Sequence, residues 1–575
     1  MIFIRIIRNY FFKLGHVVCA RTVKNFAKSE QFISKPGPRS IGNILLADKI
    51  CDGKLFVFGN IFELGDKVIW DHSLSSIENY EELHGFPWLD DLAARGDKAA
   101  VEIVQKWVFS WIEKYGSGSG PGWTPRLTSR RLIRLIHHED TILNGLSEKY
   151  ISTYFKSIYK HANFISKRFY KTDKLTMNFE AIVGVIYCGL YIDGFERFIT
   201  VGTEHLSREC RDKIDEDGGI LSRNPEELLE IFMYLVWVAH GLHDADWTPS
   251  QAHIETINSI APALRHLRHV DGNLCRFNGS CVKYPGDLDR YLFLSGNKKK
   301  TTKILKMGYA RMEGGRTSII QDAGRLPNIP YSNLSHASVL GFELTHGRQP
   351  LIVNCGSGVN FGRDWHKAGR ATQSHSIFCL KGKSSAKLLK SLSSGSAMRD
   401  FLTQGPTEVT VNKSRVEGGT ALTVSHNAYA NKYGVILERK LELSDNGDTL
   451  IGQDQIEPLS TLGKSKEISV YGIEYEVRFH LHPDVTAQIL DDDTVQMNSK
   501  YSGTWILEAF DLAPSFHPSY YFIEGHASPI PTQQVIFSAS LNDFLKQVRW
   551  SLQKSYDIRN LKIKLLLSHV FFRTK

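Results

Sequence analysis

Near residue 300 the spacing of apolar side chains changes, and that change constrains the fold more than any other feature of the sequence. Before it, apolar residues recur every three or four positions. Val101, Val104, Val108 and Trp111 do so between Asp97 and Tyr115, with Ile103 and Trp107 widening the stripe. Gly116-Ser-Gly-Ser-Gly-Pro121 stops that helix. A segment from Asn178 to about Asp193 is apolar on nearly every side, as a helix between neighbours requires. Asn224-Pro225-Glu226-Glu227 is an N-cap, a first-turn proline and two acids matched to the helix dipole. Leu228, Ile231, Phe232, Leu235 and Val236 follow as that helix's buried face. After residue 300 the period is two. Val435, Leu437, Arg439, Leu441 and Leu443 alternate along one strand, Asp445-Asn446-Gly447-Asp448 turns, and Leu450, Gly452, Asp454 and Ile456 return. Tyr475, Val477, Phe479 and Leu481 alternate with Glu476, Arg478, His480 and His482, which predicts a half-buried antiparallel strand. The chain therefore reads as stacked helical hairpins followed by a large antiparallel β-sandwich, with the boundary between about Tyr284 and Gly308.

Composition narrows the class without naming a ligand. Of 575 residues, 42% are hydrophobic and 23% charged, which excludes disordered, collagenous and coiled-coil chains. The net charge of +9 favours polyanionic partners in general. There is no dense basic block beyond Lys298-Lys299-Lys300, so nucleic acid is not expected. The eight cysteines contain no Cys-x-x-Cys pair; Cys275 and Cys281 are near enough either to bridge in an oxidising compartment or to stay free thiols. No run reaches the ~18 apolar residues of a membrane span. Arg5 and Arg8 interrupt the N-terminal apolar stretch, which reads as an amphipathic basic helix docked on the fold rather than as a signal peptide.

An ordered set of short motifs resembles the heparinase II/III-like polysaccharide lyases. It comprises Trp123-Thr-Pro125 with Ser129-Arg130-Arg131-Leu132, Asn178 leading to Asp193-Gly194, and Asp217-Gly-Gly219 with Ser222-Arg223-Asn224-Pro225. Ser335-His336-Ala337, Val353-Asn354-Cys355-Gly356, Arg370-Ala-Thr372-Gln-Ser-His375, Ser425-His426-Asn427, Gly452-Gln-Asp454 and Arg478-Phe479-His480 follow in order. The resemblance spans roughly residues 80 to 550. It implies an N-terminal segment (1–60), an (α/α) toroid (61–295), a β-sandwich (305–555) and a basic tail (556–575).

The resemblance also implies chemistry: β-elimination on a uronic-acid polysaccharide, which needs a neutralised carboxylate, a base and an acid. Asn178 stands at the family's carboxylate-neutralising position, although an asparagine there is equally a helix N-cap. His375 is the candidate general base. Arg130, Arg131 and Arg370 are candidate clamps for carboxylate or sulfate. Some members hold zinc through two histidines and an aspartate; the matching set here is His336, His375 and Asn354, with a carboxamide in place of the carboxylate. Other positions depart from the family pattern. Phe179 replaces a common histidine, Glu226, Glu227 and Leu228 occupy the stretch that usually holds a tyrosine, and Leu334 replaces another histidine.

Three functions follow. The first is a lyase for a glycosaminoglycan-like acidic polysaccharide of the bacterial envelope or periplasm, although the absence of an export signal leaves the cytoplasm as the alternative. The second is a relative that binds acidic glycan without cleaving it. The third is a hydrolase using paired carboxylates such as Asp217 and Glu226. Oligomeric state is not indicated.

Overall fold

A computed structural model describes residues 14–24, 27–57, 60–65, 67–72, 80–170, 178–280, 286–389, 400–459, 472–523, 526, 528–541 and 547–556. The N-terminal stretch 1–13, Cys281 and the tail beyond 556 lie outside the described residues. Helices dominate up to Leu294. The principal ones are Lys98–Tyr115, Pro125–His137, Glu148–Arg168, Phe179–Tyr191, Arg197–Lys213, Pro225–Asp244 and Gln251–His266. They form the toroid, and their caps are legible in sequence. Asp97 accepts from the Ala100 N–H, and Asn224 accepts from the N–H groups of Glu226 and Glu227. Phe179–Tyr191 is buried along its entire length, as its uniformly apolar sequence requires. Residues 14–22 are helical and docked: Ala20 is buried, and Arg168 donates to His16 Nδ1.

The first sandwich strand is Leu305–Lys306. All strand pairs are antiparallel. Among the described residues one sheet has eight strands and includes Val435–Ser444 and Thr449–Pro458; the other has nine and includes Glu474–Leu481. The turn at 445–448 pairs Leu443 with Leu450, and Gly447 at φ 73° supplies the left-handed residue it needs. On the strand that follows, a Cβ on Gly452 would stand 2.0 Å from Trp550 Cε2, so only glycine fits there.

The alternation placed a charge on the inward face of each strand, and the sandwich pairs them. Arg439 and Asp454 are fully buried, opposite one another in register. Nε–Oδ1 is 2.6 Å and Nη2–Oδ2 is 2.8 Å, and the Trp550 indole N–H donates to Asp454 Oδ2 at 2.9 Å. Arg439 Nη1 also donates to the Leu340 carbonyl, tying one sheet to the other. The strand Glu474–Leu481 departs from the half-buried expectation. Glu476 and His480 are buried as well, because the strand sits between two neighbours in its sheet and its second face is covered. Glu476 ion-pairs Arg478, while His480 Nδ1 meets the Ser519 hydroxyl and Nε2 meets the Gln373 carbonyl.

Removing one partner of the buried pair leaves an uncompensated charge. Asp454→Ala is expected to cost about 3–5 kcal/mol. The double substitution Arg439→Met/Asp454→Leu should cost far less, as measured by urea denaturation followed through tryptophan fluorescence.

Candidate functional site

A cleft of about 470 Å³ opens in the toroid against the sandwich. Two helices supply its walls through residues at helical spacing. Glu226, Glu230, Tyr234 and Trp237 project from one; Arg126, Arg130, Arg134 and His137 project from the other. Asp287 and Tyr291 add a third side, and Leu334 and Asn360 reach in from the sandwich.

The electrostatics of the cleft are the reverse of the chain's net charge. Among the described residues its lining holds six carboxylates and three guanidiniums. Each guanidinium is already engaged. Arg126 pairs with Glu82; Arg130 donates to Glu180 Oε1 at 2.8 Å and Glu82 Oε2 at 3.1 Å; Arg134 donates to Asp90 Oδ2 at 2.7 Å. Burial opposes the charge on Asp90, but Arg134 and His138 outweigh it and hold the carboxyl well below its usual range. Asp287 is different. It is 4% exposed, its Oδ1 has no hydrogen-bond partner among the described residues, and burial pushes its carboxyl up to about 7, with Arg290 opposing and Asp90 adding to the shift.

The residues proposed from sequence are scattered around this cleft rather than gathered in it. Of the residues the resemblance implied, Arg130 alone lines it, and its guanidinium is taken by carboxylates. Arg131 is not a substrate clamp. It is fully buried, lies 3.9 Å from the Trp111 ring centroid, and donates to His161 Nε2 and the His84 carbonyl. Arg370 is not one either: its guanidinium donates to the carbonyls of Ser335, Ser332 and Asp400, fastening two loops. Asn178 occupies the N-cap position but makes no capping bond. Its Nδ2 donates to Glu209 Oε1 at 3.2 Å, and its Oδ1 is buried without a partner among the described residues. Asp217 pairs with Lys303 and Lys306 and does not line the cleft, whereas Glu226 does.

His336 and His375 do come together, as a closed neutral chain. Nδ1 of His375 faces the Ala371 carbonyl at 2.9 Å, so it carries the proton and Nε2 accepts. His336 Nδ1 then donates to His375 Nε2 at 3.1 Å, and His336 Nε2 accepts the Gly279 N–H at 3.1 Å. Burial holds both rings below the usual histidine range, His375 at about 4. His375 is therefore not placed as a base: it is fully buried behind the wall that Gly279 and Leu334 form. This arrangement also does not fit zinc. Every ring nitrogen of the pair is occupied, and Asn354 accepts from the Ser376 N–H and donates to Glu343. Among the described residues no cluster of three or more His, Cys, Asp or Glu side chains is arranged to hold a metal.

Sequence reasoning missed Glu180, Glu230 and Asp287. The signal for the first two was present, as acids on otherwise apolar helices with their spacing turned toward Arg130 and Tyr234. Asp287 carried no such signal, because its burial comes from packing by distant segments.

A toroid of helical hairpins capped by a two-sheet sandwich is the architecture of heparinase-type polysaccharide lyases. Residues 297–551 match the family model Heparinase II/III-like, C-terminal. The solved structure of heparinase III superposes with a TM-score of 0.66 at 13% identity, covering 94% of this chain and 89% of that one. A mutant of the heparan sulfate lyase HepC from Pedobacter heparinus gives 0.56 at 13% identity, covering 94% and 87%. At such identity the likeness is one of fold. A curated relative, FtsZ-localized protein C of Caulobacter vibrioides (strain NA1000 / CB15N), is 24% identical over 510 residues, covering 88% of this chain and 87% of its own length.

The buried neutral histidines generate a pH dependence. Their folded pKa values, near 4 for His375, His366 and His253, lie below the unfolded value of about 6.5. Between those limits the unfolded chain binds more protons, so stability is complete above about pH 6.5 and falls as pH drops toward 4. Urea midpoints at pH 7.5, 6 and 5 should decrease in that order. At pH 7.5, added zinc should leave the midpoint unchanged, because the His336–His375 pair offers it no lone pair.

Proposed function

We propose that the chain is a glycan-binding protein on a heparinase-like scaffold that does not carry out β-elimination. The observation that carries this reading is the commitment of the cleft's charges. A lyase must neutralise a uronate and present a free base, yet all three cleft guanidiniums are bound to carboxylates. The two best histidines face away behind Gly279, and Leu334 and Glu226 line the cleft where the resemblance would put a histidine and a tyrosine. Tyr234 does line the cleft, but burial and the neighbouring Glu180 push its phenol far above neutrality, so it offers no base. The cleft itself is kept, with Trp237, Tyr234 and Tyr291 as an aromatic wall of the kind that pyranose rings contact.

The relative at 24% identity supports a second element of the reading, association with FtsZ, because the match extends over most of both chains. Of the two compartments the sequence leaves open, this reading favours the one in which FtsZ is found.

Incubation with heparan sulfate, hyaluronan, alginate and polyglucuronate should give no rise in absorbance near 232 nm, where an unsaturated uronate absorbs. A rise abolished by Asn178→Ala would establish a lyase and sink the proposal. Co-sedimentation with FtsZ polymers above a polymer-free control tests the association; recovery wholly in the supernatant would remove it.

A further inference from the structure

The cleft's sign of charge bears on what it binds. The protein carries +9 overall, yet the described lining of this one cavity is dominated by carboxylates. The lining contains no lysine, and its arginines are consumed by Glu82, Glu180 and Asp90. A uronate or sulfate entering here would meet negative charge with no guanidinium released to receive it. Its desolvation would go uncompensated.

Asp287 adds a second observation, independent of the charge count. The side chain is 4% exposed, it lines the cavity, and Oδ1 accepts no hydrogen bond from any described residue. A buried carboxylate oxygen without a donor is costly, and native structures rarely leave one unless a ligand or water completes it. It stands at the start of the helix Asp287–Leu294, one turn from Tyr291, whose ring centroid is 6.3 Å from that of Trp237. A carboxylate beside aromatic rings is the environment that receives an ammonium on a sugar ring, through a charge-assisted hydrogen bond and cation–π attraction.

We propose that the cleft binds an amine-bearing glycan, with the Asp287 carboxylate receiving a protonated amino group of the sugar. The proposal rests on the reading of this cleft as a saccharide site and names its ligand class. Glu226 and Glu230, on the facing helix, add to the negative potential that selects the cation. Burial raises the Asp287 carboxyl to about 7, so a bound ammonium has to displace its proton to form the charged pair. Non-specific attraction of a polycation is opposed by the net positive surface, so binding of one should report the cleft.

The test is calorimetry at pH 6 with three hexasaccharides: glucosamine, N-acetylglucosamine and heparan sulfate. Hexalysine serves as a control of equal charge without sugar. The glucosamine hexamer should bind at least about tenfold tighter than the acetylated one, a difference equivalent to one good polar contact. Heparan sulfate should bind weakest, and hexalysine weaker than glucosamine. Asp287→Asn should shrink the amine preference to within about threefold, with Glu230→Gln reducing it partially. Each variant's unfolding midpoint shows that it is folded. Equal or tighter binding of the acetylated or sulfated hexamer, or an amine preference retained in Asp287→Asn, would overturn the amine assignment while leaving a glycan site. Equal binding of hexalysine would show that charge alone is recognised and overturn the saccharide. Absence of binding by every hexasaccharide to folded protein would remove both this proposal and the reading beneath it.

Discussion

Arg223 holds the two halves of the molecule in their working relation. It sits at φ 58°, between the toroid turn at 217–219 and the helix Pro225–Asp244. Its guanidinium crosses to the sandwich, donating to the carbonyls of Met307, Gly308 and Arg325 and to Asp322. Asp322 in turn accepts from the Ser338 hydroxyl. A Cβ on Gly308 or Gly324 would stand within 3 Å of that guanidinium, so both glycines are required by its passage. The helix it precedes carries Glu226, Glu230, Tyr234 and Trp237 into the cleft, and the sandwich it grips supplies Leu334 and Asn360. The cleft exists because this joint fixes the two sides.

The same seam packs His336 and His375 into the interior. His336 is held by the Asn278 side chain through its backbone N–H and by Gly279 through its ring, and His375 stacks against Phe277 with 3° between the planes. The loop 277–279 is thus packed on the imidazole pair as on a core. Charge follows the same economy of partners: arginines that could clamp an anion are instead bound to carboxylates contributed by neighbouring helices. What is left facing the cavity is acid and aromatic surface. The scaffold therefore presents acids and aromatic rings to the cavity, with its arginines already paired.

Much of the fold was legible. The change of period near residue 300, the caps Asp97 and Asn224, the turn at 445–448 and the inward positions of Arg439 and Asp454 follow from local rules, and each stands in the structure. The second face of the strand Glu474–Leu481 was not, since a polar residue that finds a partner across the sheet, as Arg478 does in Gln534, looks the same in sequence as one facing water. The site was less legible still. Arg130 and Arg131 are adjacent and chemically identical, yet one meets Glu180 at the cleft and the other lies against Trp111.

The sequence alone determined the order of helical and sheet halves, because period and capping act over a few residues. It also determined the set of motifs that relates the second half to heparinase II/III-like domains. Only the tertiary structure decided which charges are spent and which remain. The partners of Arg130, Arg134 and His336 lie about 40 to 50 residues away along the chain, and Asp287 Oδ1 has none among the described residues. Burial and pairing are properties of that long-range arrangement, and they set both the protonation state of a side chain and whether it is available to a ligand.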